Sequence, residues 1–285
     1  MRNLRPCAEP SLGHYLAIAN AKESPRKELL LAMEPRIASA YGTYIAACPA
    51  LQSLVPIAVA GDDRAALLHS YEEETRPLRT LKGLITSRQT NLARAECQYC
   101  CVSPPKTYDH YLPISLYPEF AVHQRNLVPC CADCNRDRGT RWKNAQGERN
   151  YVHLYDDRIE EDVEILFADI FVAQLPSVSF RLDLSKARAR PFYQLLERHI
   201  TGDLKLLAKY AQAAPSRLSE LHLTIQRFKN QLNRPAIIEE LREQLEQERK
   251  LRGVHHWKVA LLRAVIETNE FIEFALDTPL TVWDE

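Results

Sequence analysis

Two C-x-x-C pairs, Cys97 with Cys100 and Cys131 with Cys134, bracket the stretch of the chain richest in reactive side chains. Four thiolates at this spacing close a tetrahedral shell around zinc. Such a shell is structural, because four protein sulfurs leave no position for a substrate. The intervening segment is longer than in a simple zinc ribbon, so a folded piece must sit inside the clip. That segment carries Asp109, His110 and Asn126, and Asn135 follows the last cysteine directly. An imidazole with its ordinary pKa of ~6.5 is mostly neutral at pH 7 and can accept a proton. On an extended strand Asp109 points to the face opposite His110, so the two meet at one site only if the strand bends. Pro113 and the Ser103-Pro104-Pro105 turn can impose that bend. Taken singly, each residue has an ordinary reading: a surface histidine, a turn-forming aspartate, a loop asparagine, a helix-capping asparagine. Cys101 and Cys130 flank the ligand cysteines as alternative ligands, while Cys7 and Cys48 read as isolated apolar side chains.

The phrases TYDHYLP, NLVPCC and CADCNRDRG, in that order, resemble the zinc-stapled HNH endonucleases, over about one sixth of the chain. Asn135 stands at the third signature position, where an amide oxygen can ligate a hard cation as histidine does in other members. The resemblance implies a short hairpin packed on one helix, a ββα-metal core, and hydrolysis of phosphodiester bonds in DNA. It makes His110 the base that activates water. It assigns Asp109 and Asn135 to a catalytic Mg2+ or Mn2+, and gives Asn126 the task of bracing the loop and orienting His110. Structural Zn2+ belongs to Cys97, Cys100, Cys131 and Cys134. More finely, TYDHYLPISLYPEF, NLVPCCADCN and YVHLY look like stand-alone HNH proteins of bacterial anti-phage systems. In the Septu type these work with an ATPase partner, so the likeness implies such a partner and foreign DNA as target. The rival reading is a zinc-clip module that binds nucleic acid or protein without cutting, which has no use for the Asp109, His110 and Asn135 set.

The chain has 285 residues, is 46% hydrophobic and carries no formal net charge. Its length suffices for a sizeable core. Neutrality argues against coating nucleic acid through bulk charge, since non-specific affinity scales with the phosphates neutralised. Any such contact must be local, and Arg136, Arg138, Arg141 and Lys143 supply a basic cluster just after the clip, offset by Asp137. The alternative for that run is a solvated helix face. MRNLRPCAEP has no apolar signal core, and LVPIAVA at 54–60 is too short to cross a bilayer and contains Pro56. The expected setting is cytoplasmic, with no membrane partner.

Few glycines and long Ala/Leu/Glu/Arg stretches favour helix. The expected fold is α+β and mostly helical, with the zinc-stapled HNH core embedded between two helical regions. Soft boundaries fall near 96 and 185, giving segments 1–96, 97–185 and 186–285. Before the clip, helices are expected after Ser24-Pro25, from Pro35, after Asp62 or Asp63, and over 78–92. Within and after it, extended pieces are expected at 108–112, 126–129 and 151–155, a helix from Cys131 to about Arg141, and a hairpin from 163–173 and 178–184. Helices should then cover 191–213, 215–232, 236–251 and a last apolar stripe from Trp257. His123 reads as a surface residue or a neighbour of the site, His153 as a structural strand histidine, and His255 and His256 as helix-end surface residues.

Overall fold

The computed structural model describes residues 1–279, which form two compact units. The first, Asn3–Arg158, holds the cysteine clip together with the helices that precede it. These are α1 (Ser11–Asn20), α2 (Arg26–Ala32), α3 (Glu34–Ala47), α4 (Gly61–Glu72), α5 (Arg76–Ser87) and the short α6 (Asn91–Ala95). Pro35 and Pro77 sit in the opening turns of α3 and α5, where the missing N–H costs nothing. The expected helix over 78–92 is split, because Thr90 breaks away and caps α6 by accepting from the Ala93 N–H at 3.2 Å. Tyr15, Ile18, Leu30, Ile37, Tyr44, Leu78, Leu81 and Ile85 fill the core beneath these helices. Lys22 runs through it to the end of α4, donating to the carbonyls of His69 and Glu73 at 3.0 and 2.9 Å. A cation is favoured at this end of the helix, where the backbone carbonyls carry its negative pole.

Strands β1 (Thr107–His110) and β2 (Leu127–Cys130) pair antiparallel, with Asp109 opposite Val128 and His110 opposite Leu127. Helix α7 (Ala132–Arg138) follows β2 after one residue. Pro129 is tolerated because the sheet has only two strands, so it lies on an edge. The stretch 151–155, expected as a strand, is a turn: the N–H groups of Asp156 and Asp157 return to the His153 carbonyl, and Asp157 Oδ2 accepts from the His153 N–H at 2.6 Å. The Asp157 carboxylate as acceptor and the two aspartate N–H groups as donors give the backbone local partners that outcompete a ladder here.

The second unit comprises Met1–Arg2 and residues 159–279. Its hairpin, β3 (Leu166–Phe171) with β4 (Ser177–Leu182), is the one the sequence predicts, but it belongs with the C-terminal helices rather than with the clip. Strand β3 packs on α11 (Trp257–Glu267) and β4 on α9 (Leu206–Lys229), which explains where its apolar face is buried. Helices α8 (Pro191–Thr201), α10 (Arg234–Arg252) and α12 (Asn269–Asp277) complete the unit. The break expected at Pro215 falls instead at Gly202–Lys205, where Lys205 adopts a left-handed conformation, and α9 continues through Pro215. His255 and His256 are buried, not superficial: His255 Nε2 lies 2.7 Å from the Glu160 carbonyl and His256 caps α11. Gly253 ends α10 at φ +84°, where a Cβ would sit 2.6 Å from the Met1 carbonyl oxygen. Among the described residues, no helix is long and apolar enough to cross a membrane.

Candidate metal centre and the adjoining cleft

The four cysteine sulfurs of the clip are buried and lie within 4.8 Å of one another, with Cys100 and Cys131 at 3.9 Å. Zn–S bonds of ~2.3 Å set sulfurs roughly 3.8 Å apart in a tetrahedron, so the cluster is nearly closed on an ion already. Local backbone explains the placement. Cys97 accepts from the Cys101 N–H at 2.8 Å and donates its own N–H to Ser103, folding a tight knuckle in which Cys101 takes φ +54°. Cys131 is the N-cap of α7, its sulfur accepting from the Cys134 N–H at 3.4 Å. Hydrogen bonds from Cys100, Cys134 and Cys97 hold the Cys131 thiol well below its ordinary pKa. Those with Cys100, Cys131 and Cys134 push Cys97 well above its own. Four thiols so close together favour shedding protons to a dication at their centre. Cys130 is outside the cluster: its sulfur lies 3.4 Å from Thr107 Oγ1, and burial pushes its thiol up to about 12. Cys101 is outside it too, so neither neighbour serves as an alternative ligand.

The clip positions a strand end and a loop. His110 closes β1, and its Nε2 lies 2.9 Å from the Ala121 carbonyl. A carbonyl only accepts, so the neutral ring carries its proton on Nε2 and keeps the lone pair on Nδ1. Burial, opposed by the Ala121 contact and Asp109, lowers this histidine to about 4, so it is neutral at pH 7. The Tyr71 ring of α4 stands edge-on to it, centroids 4.3 Å apart. Asn126 is fully buried and clamps the loop: its Oδ1 accepts from the Leu112 N–H at 2.7 Å, and its Nδ2 donates to the Leu112 and Phe120 carbonyls at 3.1 Å. The Ala121 carbonyl that holds His110 is the next one along.

Arg138 corrects the expected set of phosphate-binding residues. Its side chain is wholly buried among Tyr99, Tyr111 and Tyr151, pairs with Asp109 Oδ2 at 2.8 Å, and donates to the carbonyls of His110 and Tyr111. A guanidinium so enclosed cannot reach a nucleic acid. Tyr99 Oη donates to the same Asp109 oxygen at 2.7 Å, so the carboxylate holds the arginine through Oδ2 and has Oδ1 left for a cation. The other expected basic residues differ among themselves. Arg136 is 71% exposed and pairs with Asp133 and Asp137. Arg141 is exposed and donates to the Asp137 carbonyl. Lys143 lies over the Trp142 ring and donates to the Gln52 carbonyl at 2.6 Å.

Asp109, His110 and Asn135 line one open cleft of about 880 Å³. Asn135 Nδ2 donates to Thr107 Oγ1 at 3.3 Å, which ties α7 to β1 and leaves the amide oxygen for another partner. An Asp109 carboxylate oxygen and the Asn135 amide oxygen are both hard donors and line this same cleft. The far wall comes from residues that the sequence read only as scaffold: Tyr71 and Glu72 at the end of α4, Glu74 just past it, and Lys82 on α5. Lys82 lies over the Tyr71 ring and pairs with Glu74 at 3.0 Å, and Lys106 lines the cleft beside β1. No spacing rule connects them to the clip, since helix packing alone brings them there. His123, expected near the surface, is buried between Tyr41, Tyr44 and Phe120. His153 is structural as expected, though in a turn: its Nε2 lies 3.0 Å from Tyr44 Oη and its Nδ1 3.1 Å from Asp156.

No family model and no solved structure matches the chain. Among curated proteins it is similar to Protein ea31 of Escherichia phage lambda, 38% identical over 106 residues, or 36% of this chain. The match spans 30% of the length of that relative.

Proposed function

We propose that the chain is a metal-dependent endonuclease of the HNH kind, hydrolysing phosphodiester bonds of DNA. The observation that carries the reading is the shared cleft. A hairpin and a following helix, stapled by four cysteines, bring His110, Asp109 and Asn135 to one solvent-open site. In that reading zinc is structural and held by Cys97, Cys100, Cys131 and Cys134. Asp109 Oδ1 and the Asn135 amide oxygen are the ligands for magnesium or manganese. When bound, that ion supplies charge stabilisation at the phosphate and the leaving oxygen. His110, neutral and with Nδ1 unprotonated, takes the proton of the attacking water, while the Ala121 carbonyl fixes its tautomer. Asn126 positions that carbonyl by clamping the loop and transfers no proton. Arg136 on α7 and Arg141 just beyond it, together with Lys82 and Lys106 in the cleft, are the cations suited to flanking phosphates.

A role in anti-phage defence beside an ATPase partner is the finer proposal. It rests on the resemblance carried by TYDHYLPISLYPEF and NLVPCCADCN. Zero net charge is compatible with DNA delivered by such a partner. The test is cutting of supercoiled plasmid by the full chain with added Mg2+ or Mn2+, alone and with proteins that co-purify from its native cell. His110→Ala is expected to slow cutting by at least ~100-fold, the usual worth of a positioned base, with zinc content and fold unchanged. Equal cutting by the wild type and His110→Ala removes the assigned base. Binding without cutting in every condition favours the non-catalytic zinc-clip module instead.

A further inference from the structure

Before α1 the chain passes through Cys7 and Glu9, and His14 follows in the helix itself. The Cys7 sulfur, a Glu9 carboxylate oxygen and a His14 ring nitrogen all lie within 4.8 Å of one another. The three come from one segment, but their convergence is built by the surrounding fold. Gln89 grips Arg5 from both sides, accepting its N–H at 2.9 Å and donating to its carbonyl at 2.8 Å. Gln124, from the loop inside the cysteine clip, donates to the Glu9 carbonyl at 2.9 Å. Pro6 and Pro10 flank the pair, restricting the backbone on each side. The ligand-bearing segment is therefore held at both ends before any ion arrives.

A second observation points the same way. His14 Nε2 is buried and has no hydrogen-bond partner among the described residues. Leaving a polar nitrogen unsatisfied in the interior costs free energy that packing alone does not return. Cys7 is 8% exposed, and a plain apolar reading of its thiol leaves unexplained why a carboxylate and an imidazole are turned toward it.

We propose that Cys7, Glu9 and His14 form a second metal site, taking a zinc-class transition ion through three protein ligands with the fourth position open to solvent. A thiolate beside an imidazole disfavours magnesium and calcium and suits zinc or cobalt. Sulfur at ~2.3 Å and nitrogen or oxygen near 2.0–2.1 Å from an ion sit roughly 3.3–3.6 Å apart in a tetrahedron. Side-chain movement of about 1 Å closes the present cluster to that size. The exposed Glu9 marks the open side, so the ion exchanges with solvent while the four-cysteine ion does not. This site lies outside the cleft and does not depend on the nuclease reading.

The test is zinc titration of the metal-stripped full chain against a chromophoric chelator, comparing the wild type with Cys7→Ser, His14→Asn and Glu9→Gln. The wild type is expected to bind one equivalent more than Cys7→Ser and His14→Asn. Glu9→Gln, a change at an exposed position that leaves folding intact, is expected to weaken that equivalent by tenfold or more. Cobalt loading gives a spectroscopic readout, since losing the single Cys7 thiolate removes its share of the charge-transfer absorption. Equal stoichiometry and equal affinity in the wild type and Glu9→Gln overturn the proposal, whatever the state of the other two variants.

Discussion

His123 is a buried titratable group whose pH effect can be worked out and isolated. Both of its ring nitrogens are buried with no hydrogen-bond partner among the described residues, and aromatic rings surround it, Tyr44 at 4.4 Å and Tyr41 at 4.6 Å between centroids. Burial, reinforced by Arg125 and His153, lowers its pKa to about 3. In the unfolded chain the value returns to ~6.5. Between those two values the unfolded state binds more protons than the folded one, so stability rises with pH across that window. The contribution is complete above the unfolded value and is lost as pH falls from ~6.5 toward about 3. From pH 7 to pH 5 the expected loss is about 2 kcal/mol, or roughly 4–8 °C in Tm for a unit of this size. The measurement is urea denaturation at both pH values, with zinc in excess, for the wild type and His123→Phe. Phenylalanine keeps an aromatic ring in the same enclosure and titrates nothing. Protonation of His110 and of the cysteine clip affects both proteins equally and cancels in the difference. Wild type and His123→Phe losing stability in parallel between pH 7 and pH 5 would refute the reasoning.

Arg138→Met is expected to cost about 3–5 kcal/mol, because Asp109 is left as a buried charge and two carbonyls lose their donor. Adding Asp109→Asn to Arg138→Met should recover part of that loss in a double-mutant cycle, and a loss under ~1 kcal/mol for the single variant contradicts the pairing. Cys131→Ser is expected to lose one zinc equivalent and the thermal transition of the N-terminal unit, since it removes a ligand and the sulfur cap of α7 together. Metal analysis with calorimetry checks it, and unchanged zinc content and Tm would exclude this cysteine from the shell.

What could be read from the sequence was local, and what could not depended on partners far along the chain. The spacing of Cys97, Cys100, Cys131 and Cys134 encodes a tetrahedron directly, so the cluster was legible from four positions. Asn126 was placed as a loop brace through its resemblance, and its three side-chain hydrogen bonds are those of a brace. Arg138 was misplaced because a basic residue in a basic run looks solvated. Its burial is decided by Asp109 and three tyrosines that surround it only after folding. The wall formed by Tyr71, Glu72, Glu74 and Lys82 left no trace, since a helix packed across a cleft keeps the same periodicity as one facing water. At 151–155 the alternation of apolar residues was real, but Asp156 and Asp157 offered the backbone a nearer partner than a second strand. The continuation of α9 through Pro215 shows the reverse case, where tertiary packing overrides a residue that ordinarily stops a helix.

The last turn of α7 and the end of β1 share a rigid link. Arg138 sits at the far end of the helix that begins on a cysteine of the four-sulfur cluster, and its guanidinium grips the two carbonyls straddling the end of β1. Loss of the Cys131 sulfur cap would loosen the helix at its first turn. The slack would pass down seven residues and release the strand at His110. The geometry of the four-sulfur cluster thereby bears on the position of a strand end that has no sulfur of its own.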